Sequence, residues 1–121
     1  MKPLADALGV EVRGIDLSEP VPGEAVETLK QSLRDRFVLV VRDQHLSAEQ
    51  YLSAVRLFGE TMEQHLSDLL MEDHPEIAVL DSRQSPMGDD GRGIPLGSKD
   101  WHTDHTNHAK PPKMTALSVS Y

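Results

Sequence analysis

The chain has 121 residues, 38% of them hydrophobic and only five aromatic, with a formal charge of −8; that is the size of one modest domain with a thin, mostly aliphatic core. The acidic balance excludes a phosphate-backbone binder, which needs a basic surface. The lack of cysteine excludes disulfides, thiolate metal ligands and a cysteine nucleophile.

The N-terminal stretch "MKPLADALGVEVRG" has no continuous apolar segment of the signal-peptide kind. The longest apolar run, "FVLVV", is too short to span a bilayer. The expectation is a soluble, cytoplasmic chain that binds neither nucleic acid nor membrane. Residues 8–17 predict a first strand with a bulge: Val10 and Val12 alternate, Gly14 intervenes, and Ile15 and Leu17 resume out of phase. "SEPVPG" breaks the chain. From Glu24 the apolar positions Val26, Leu29, Leu33 and Phe37 recur at three- and four-residue steps, which predicts an amphipathic helix. "FVLVV" (37–41) then predicts a strand covered on both faces.

In "LSAEQYLSAVRLFGE", Ser47 and Gln50 have the spacing of a capping box and mark a helix start. Tyr51, Ala54, Val55 and Phe58 form its apolar stripe and Gly59 its stop. "EIAVLD" (76–81) predicts a short strand. Residues 82–98 carry four glycines and two prolines, and a loop of this length and composition suits either a lid over a binding site or a disordered surface loop. "KPP" forbids a helix after residue 109, and "MTALSVSY" alternates like a final strand.

The chemistry concentrates in "KDWHTDHTNH", residues 99–108, which holds three of the six histidines. In an extended segment, residues i and i+2 share a face, so His102 and Asp104 can converge on one ion. One histidine and one carboxylate, completed by a distant histidine, make the facial triad of non-haem iron(II) oxygenases. His-x-Asp alone is a short motif that recurs by chance. Two other readings use the same stretch. "DWHTDH" is similar to the zinc signature of metallo-β-lactamase-fold hydrolases, with Asp100 in place of the first histidine. A helical register would instead pair His105 or Asp104 with His108 as zinc ligands, but Trp101, the threonines and the nearby prolines oppose a helix. His105 and His108 fall out of phase with the 102/104 pair, which suggests lid-facing or supporting residues. Of the others, His45 and His74 read as surface residues and His65 as exposed or on a pocket wall. A third reading is that the chain is a non-catalytic folding or binding module.

Four segments together, "GVEVRGIDLSEPV", "LVVRDQHLSAEQYLSAVRLFGE", "EIAVLDS" and "DWHTDHTNHAKPP", resemble in order and spacing the taurine dioxygenase (TauD/TfdA) family of iron(II)- and 2-oxoglutarate-dependent dioxygenases. The resemblance covers essentially the whole chain. It implies an α+β fold: a double-stranded β-helix (jelly-roll, cupin-like) core with flanking helices, incomplete within these residues. It implies that His102 and Asp104 are iron ligands, that His65 contacts substrate, and that Trp101 packs beside the metal. Ser98 falls where taurine enzymes place a substrate-contacting asparagine, and Asp68 near their substrate tyrosine. Those departures count against taurine itself, since a carboxylate disfavours an anionic neighbour and favours an amine or hydroxyl.

The family's third ligand histidine, its 2-oxoglutarate-binding arginine and a supporting threonine have no counterpart here. Residues 1–121 are therefore expected to be the N-terminal part of a single dioxygenase domain, catalytically incomplete alone. The implied activity is hydroxylation of an unactivated C–H bond of a small, anionic molecule. 2-Oxoglutarate is converted to succinate, and Fe(II) and molecular oxygen are required. A homo-oligomeric state is left open.

Overall fold

Alternation along residues 10–12 decides the first stable element. Val10 and Val12 are buried, at 6% and 2% exposure, while Glu11 between them faces the other way. There its carboxylate accepts from Arg13 Nε at 2.8 Å and from Arg42 Nε at 2.9 Å. This is strand β2 (Val10–Val12) of a computed structural model that describes residues 1–64, 69–81, 101–106 and 108–119.

β2 is central in a three-stranded sheet. It pairs antiparallel with β1 (Lys2–Pro3) and parallel with β3 (Leu39–Val41), in register Val10↔Leu39 and Val12↔Val41. A parallel pair needs a crossover, and helix α1 (Gly23–Arg36) supplies it, contacting both β2 and β3. The predicted periodicity works at Val26 and Leu29, which are buried, Leu29 completely. Glu24 in the first turn and Arg34 and Arg36 in the last complement the helix dipole.

Phe37 departs from the expected stripe. It is 74% exposed and takes a left-handed conformation (φ 62°), its N–H closing the helix onto the Leu33 carbonyl at 2.8 Å. Glycine is usual at such a position; here the chain spends an aromatic there to turn into β3. The β3 residues are half-buried and Val38 is exposed, so the described residues do not cover this strand on both faces as expected.

Arg36 also ties the β1–β2 connection to the end of α1. Its guanidinium donates to the carbonyls of Asp6 and Ala5, and its own carbonyl accepts from Gly9 N–H at 2.8 Å. Gly9 has φ +82°, and a Cβ there would sit 3.1 Å from Leu4 Cδ1, so the close approach needs glycine.

Gly14 has positive φ, as its place at a phase slip suggested, but the strand ends at Val12 rather than resuming. The Gln44 side chain replaces the ladder. It accepts from Leu17 N–H at 2.8 Å and donates to the carbonyls of Ile15 and Arg42 at 2.7 Å each.

Helix α2 (Ala48–Arg56) begins with the predicted capping box. Gln50 N–H donates to Ser47 Oγ at 3.2 Å, and Ser47 N–H donates to Gln50 Oε1 at 2.9 Å. It buries Leu52 and Ala54, with Tyr51, Val55 and Phe58 half-buried. It ends on tightened turns, Leu57 N–H to Ala54 and Phe58 N–H to Val55 carbonyls, and not on a left-handed Gly59.

These elements form one compact unit, Met1–Thr61 with the segment from Ser118; Met62–Leu117 form a second. In the second, the predicted strand near residue 76 appears as β5 (His74–Ala78), paired antiparallel and through a bulge with β4 (Leu70–Met71), which the sequence reading did not anticipate. The described part of "MTALSVSY" forms no strand. Alternation gives a strand only where a neighbour completes its hydrogen bonds, and Leu117 and Val119 remain exposed at 83% and 73%. A closed double-stranded β-helix is accordingly not seen in the described residues. Among them, no helix is long and apolar enough to cross a membrane.

Candidate metal centre

The candidate centre lies in the second unit, on residues 101–106 and 108. Residues 101–103 are free of regular structure and a turn follows at 104–106. The His102 and Asp104 side chains point the same way, as their i, i+2 spacing predicts. His102 Nε2 lies 3.2 Å from Asp104 Oδ1, with the side chains 50% and 40% exposed.

Two ligand atoms bound about 2.1 Å from one ion, at right angles, lie about 3 Å apart. The pair therefore fits adjacent positions on a single small cation, and the donor types, one imidazole nitrogen and one carboxylate oxygen, suit a non-haem iron or similar ion. The same separation also allows a protonated Nε2 to donate to the carboxylate, which keeps the two groups together before an ion binds.

The carboxylate has a second partner. Thr115 Oγ1 donates to Asp104 Oδ2 at 2.8 Å, so one oxygen faces the histidine and the other is held by a hydroxyl eleven residues along the chain. No signal in the sequence marks Thr115, because a single threonine in an alternating apolar stretch belongs to no motif.

His105 takes a different direction. It has φ 52°, a left-handed turn residue, and its Nε2 lies 3.3 Å from Gln64 Oε1. Its ring meets that of His108 edge to face, with centroids 5.4 Å apart and an interplanar angle of 88°. His108 N–H also donates to the His105 carbonyl at 3.0 Å. The positive φ is the local reason that neighbouring residues 104 and 105 serve different partners.

Among the described residues, no group of three His, Cys, Asp or Glu side chains is arranged to hold a metal. Trp101, expected to pack beside the metal, is fully exposed. His65, Asp68 and Ser98, the expected substrate contacts, lie outside the described residues, as do Asp100 of the zinc-hydrolase reading and the expected lid at 82–98.

Against known proteins, the profile of the family described as "Taurine catabolism dioxygenase TauD, TfdA family" matches residues 1–120. An "Alpha-ketoglutarate-dependent sulfate ester dioxygenase" of Pseudomonas putida is 30% identical over 117 residues, 95% of this chain and 35% of that protein. "Pentalenolactone F synthase" of Streptomyces arenae is 28% identical over 111 residues, 91% of this chain and 36% of the relative. Among solved structures, one from Burkholderia xenovorans described as an alpha-ketoglutarate-dependent taurine dioxygenase superposes with a TM-score of 0.58 at 28% identity, covering 61% of this chain and 26% of the other. The chain thus spans about a third of the length of the curated relatives it matches.

Proposed function

The chain belongs to the TauD/TfdA family, and on that premise we propose that it provides the His-x-Asp part of the metal centre of a 2-oxoglutarate-dependent dioxygenase that hydroxylates a small molecule. The observation that carries the reading is the 3.2 Å convergence of His102 Nε2 and Asp104 Oδ1. In the overall reaction, R–H, O2 and 2-oxoglutarate become R–OH, succinate and CO2. Iron(II), when bound with 2-oxoglutarate and oxygen, supplies the oxidising power that opens an unactivated C–H bond.

The protein's task is placement. His102 offers an imidazole nitrogen and Asp104 a carboxylate oxygen on one side of the ion, leaving the remaining positions for a further histidine and for co-substrate. A carboxylate ligand also offsets part of the cation's charge. The half-exposed setting of both side chains leaves room for 2-oxoglutarate and substrate to approach. His65, Ser98 and Asp68 are assigned to the substrate pocket, with Asp68 facing an amine or hydroxyl rather than an acid. Residues 82–98 are assigned as the lid that excludes water. The relative named as a sulfate ester dioxygenase supports a small anionic substrate.

The test is product formation by the intact protein. Supplied with Fe(II), 2-oxoglutarate, oxygen and a panel of alkyl sulfates and sulfonates, it is expected to yield succinate and hydroxylated product in equal amounts, and none without Fe(II). Hydrolysis of a substrate under anaerobic conditions, with tightly held zinc and no succinate, would overturn the reading in favour of the zinc hydrolase.

A further inference from the structure

We infer that Thr115 is a positioning residue for the metal centre: its hydroxyl holds the Asp104 carboxylate so that a single oxygen is presented beside His102. The inference rests on the metal-site reading above. Its basis is the division of labour between the two carboxylate oxygens, Oδ1 at 3.2 Å from His102 Nε2 and Oδ2 accepting from Thr115 Oγ1 at 2.8 Å.

A free carboxylate of an aspartate rotates about χ2 at little cost, since that torsion is broad and roughly two-fold. It can then meet a cation with either oxygen or with both. At 40% exposure the Asp104 side chain is not fixed by full burial. A hydrogen bond to a charged acceptor is worth more than a neutral one. The Thr115 hydroxyl is thus a sufficient restraint on a side chain that burial does not restrain. With Oδ2 engaged, chelation by both oxygens would cost that hydrogen bond. The position a second oxygen would have taken stays available.

The hydroxyl also has a structural logic of its own. Thr115 lies three residues beyond Pro112, in a segment that forms no strand among the described residues. Its side-chain contact with Asp104 links residues 104 and 115. Thr115 as a residue is exposed. Replacing the hydroxyl by a methyl, as in valine, removes the donor without opening a cavity.

The test measures Mn(II) binding to the intact protein, without turnover, in wild type and in Thr115→Val, Thr115→Ser and His102→Ala. Outer-shell partners of metal ligands typically contribute roughly 10- to 100-fold in metal affinity, and Thr115→Val is expected to weaken Mn(II) binding by that factor. Thr115→Ser, which keeps the donor, is expected to bind close to wild type, and thermal unfolding of the metal-free protein is expected to be the same in both. If valine fails to fold, Thr115→Ala against Thr115→Ser reads the same contrast. Valine binding as tightly as wild type, or serine as weakly as valine, would overturn the inference while leaving the site intact, provided His102→Ala has lost binding. His102→Ala binding Mn(II) like wild type would overturn the metal-site reading itself.

Discussion

Met1–Thr61 and Met62–Leu117 are held together by different forces. All six buried apolar residues of the described chain, Val10, Val12, Val26, Leu29, Leu52 and Ala54, belong to the first unit. None of the described residues of the second is buried. What organises the second is polar: Thr115 to Asp104, Gln64 to His105, the His105–His108 edge contact, and the short β4–β5 pair. The contrast teaches that scaffold and chemistry are separable in this chain. Burial sets the first unit's geometry, while directed hydrogen bonds at the surface set that of the His102–Asp104 pair.

The contrast can be broken by a core substitution. Leu29 is fully buried on α1 against the parallel strands. Leu29→Ala is expected to destabilise by about 2–5 kcal/mol, the range for truncating a buried leucine, as measured by urea unfolding. Metal affinity of the folded fraction should be unchanged. Loss of both in proportion would mean that the metal pair depends on the core of the first unit.

A smaller effect sharpens the same point from the solvent face of the sheet. The Arg13 side chain, and after it Arg42, hold the Glu11 carboxyl below the ordinary glutamate value. A carboxyl with a lowered folded value adds stability above its unfolded pKa, and loses it as pH falls from about 4.3 through the lower folded value. Glu11→Gln is expected to flatten that acid limb, so that the difference in unfolding midpoint from wild type narrows at low pH. An equal offset at pH 7 and pH 3 would show that the ion pairs contribute nothing. Because both arginines are exposed to solvent, the effect is expected to be small.

What was legible in the sequence follows the same division. The capping box at Ser47 and Gln50, the α1 stripe at Val26 and Leu29, and the alternation of Val10 and Val12 are local patterns whose outcome depends on few distant partners. They appear where expected. The convergence of the His102 and Asp104 side chains was legible in their i, i+2 spacing.

The failures share a cause in long-range pairing. β4 spans two residues and carries no periodicity. Gln44 substitutes a side chain for the ladder that Ile15 and Leu17 seemed to continue. Phe37 completes the helical spacing of α1, yet it lies just past the helix end, turned by a left-handed backbone. The alternation at residues 114–119 is strand-like but forms no strand among the described residues. Thr115 became visible only through its distance to Asp104. The family resemblance itself was legible, since four separated segments had to agree at once.

The central claim is that His102 and Asp104 are two ligands of one catalytic metal, and its most direct test is succinate formation by the intact protein carrying His102→Ala or Asp104→Ala. The account predicts that Fe(II)-dependent succinate formation falls to background in both, with urea unfolding of the metal-free protein unchanged. Wild-type succinate formation in either variant would contradict it.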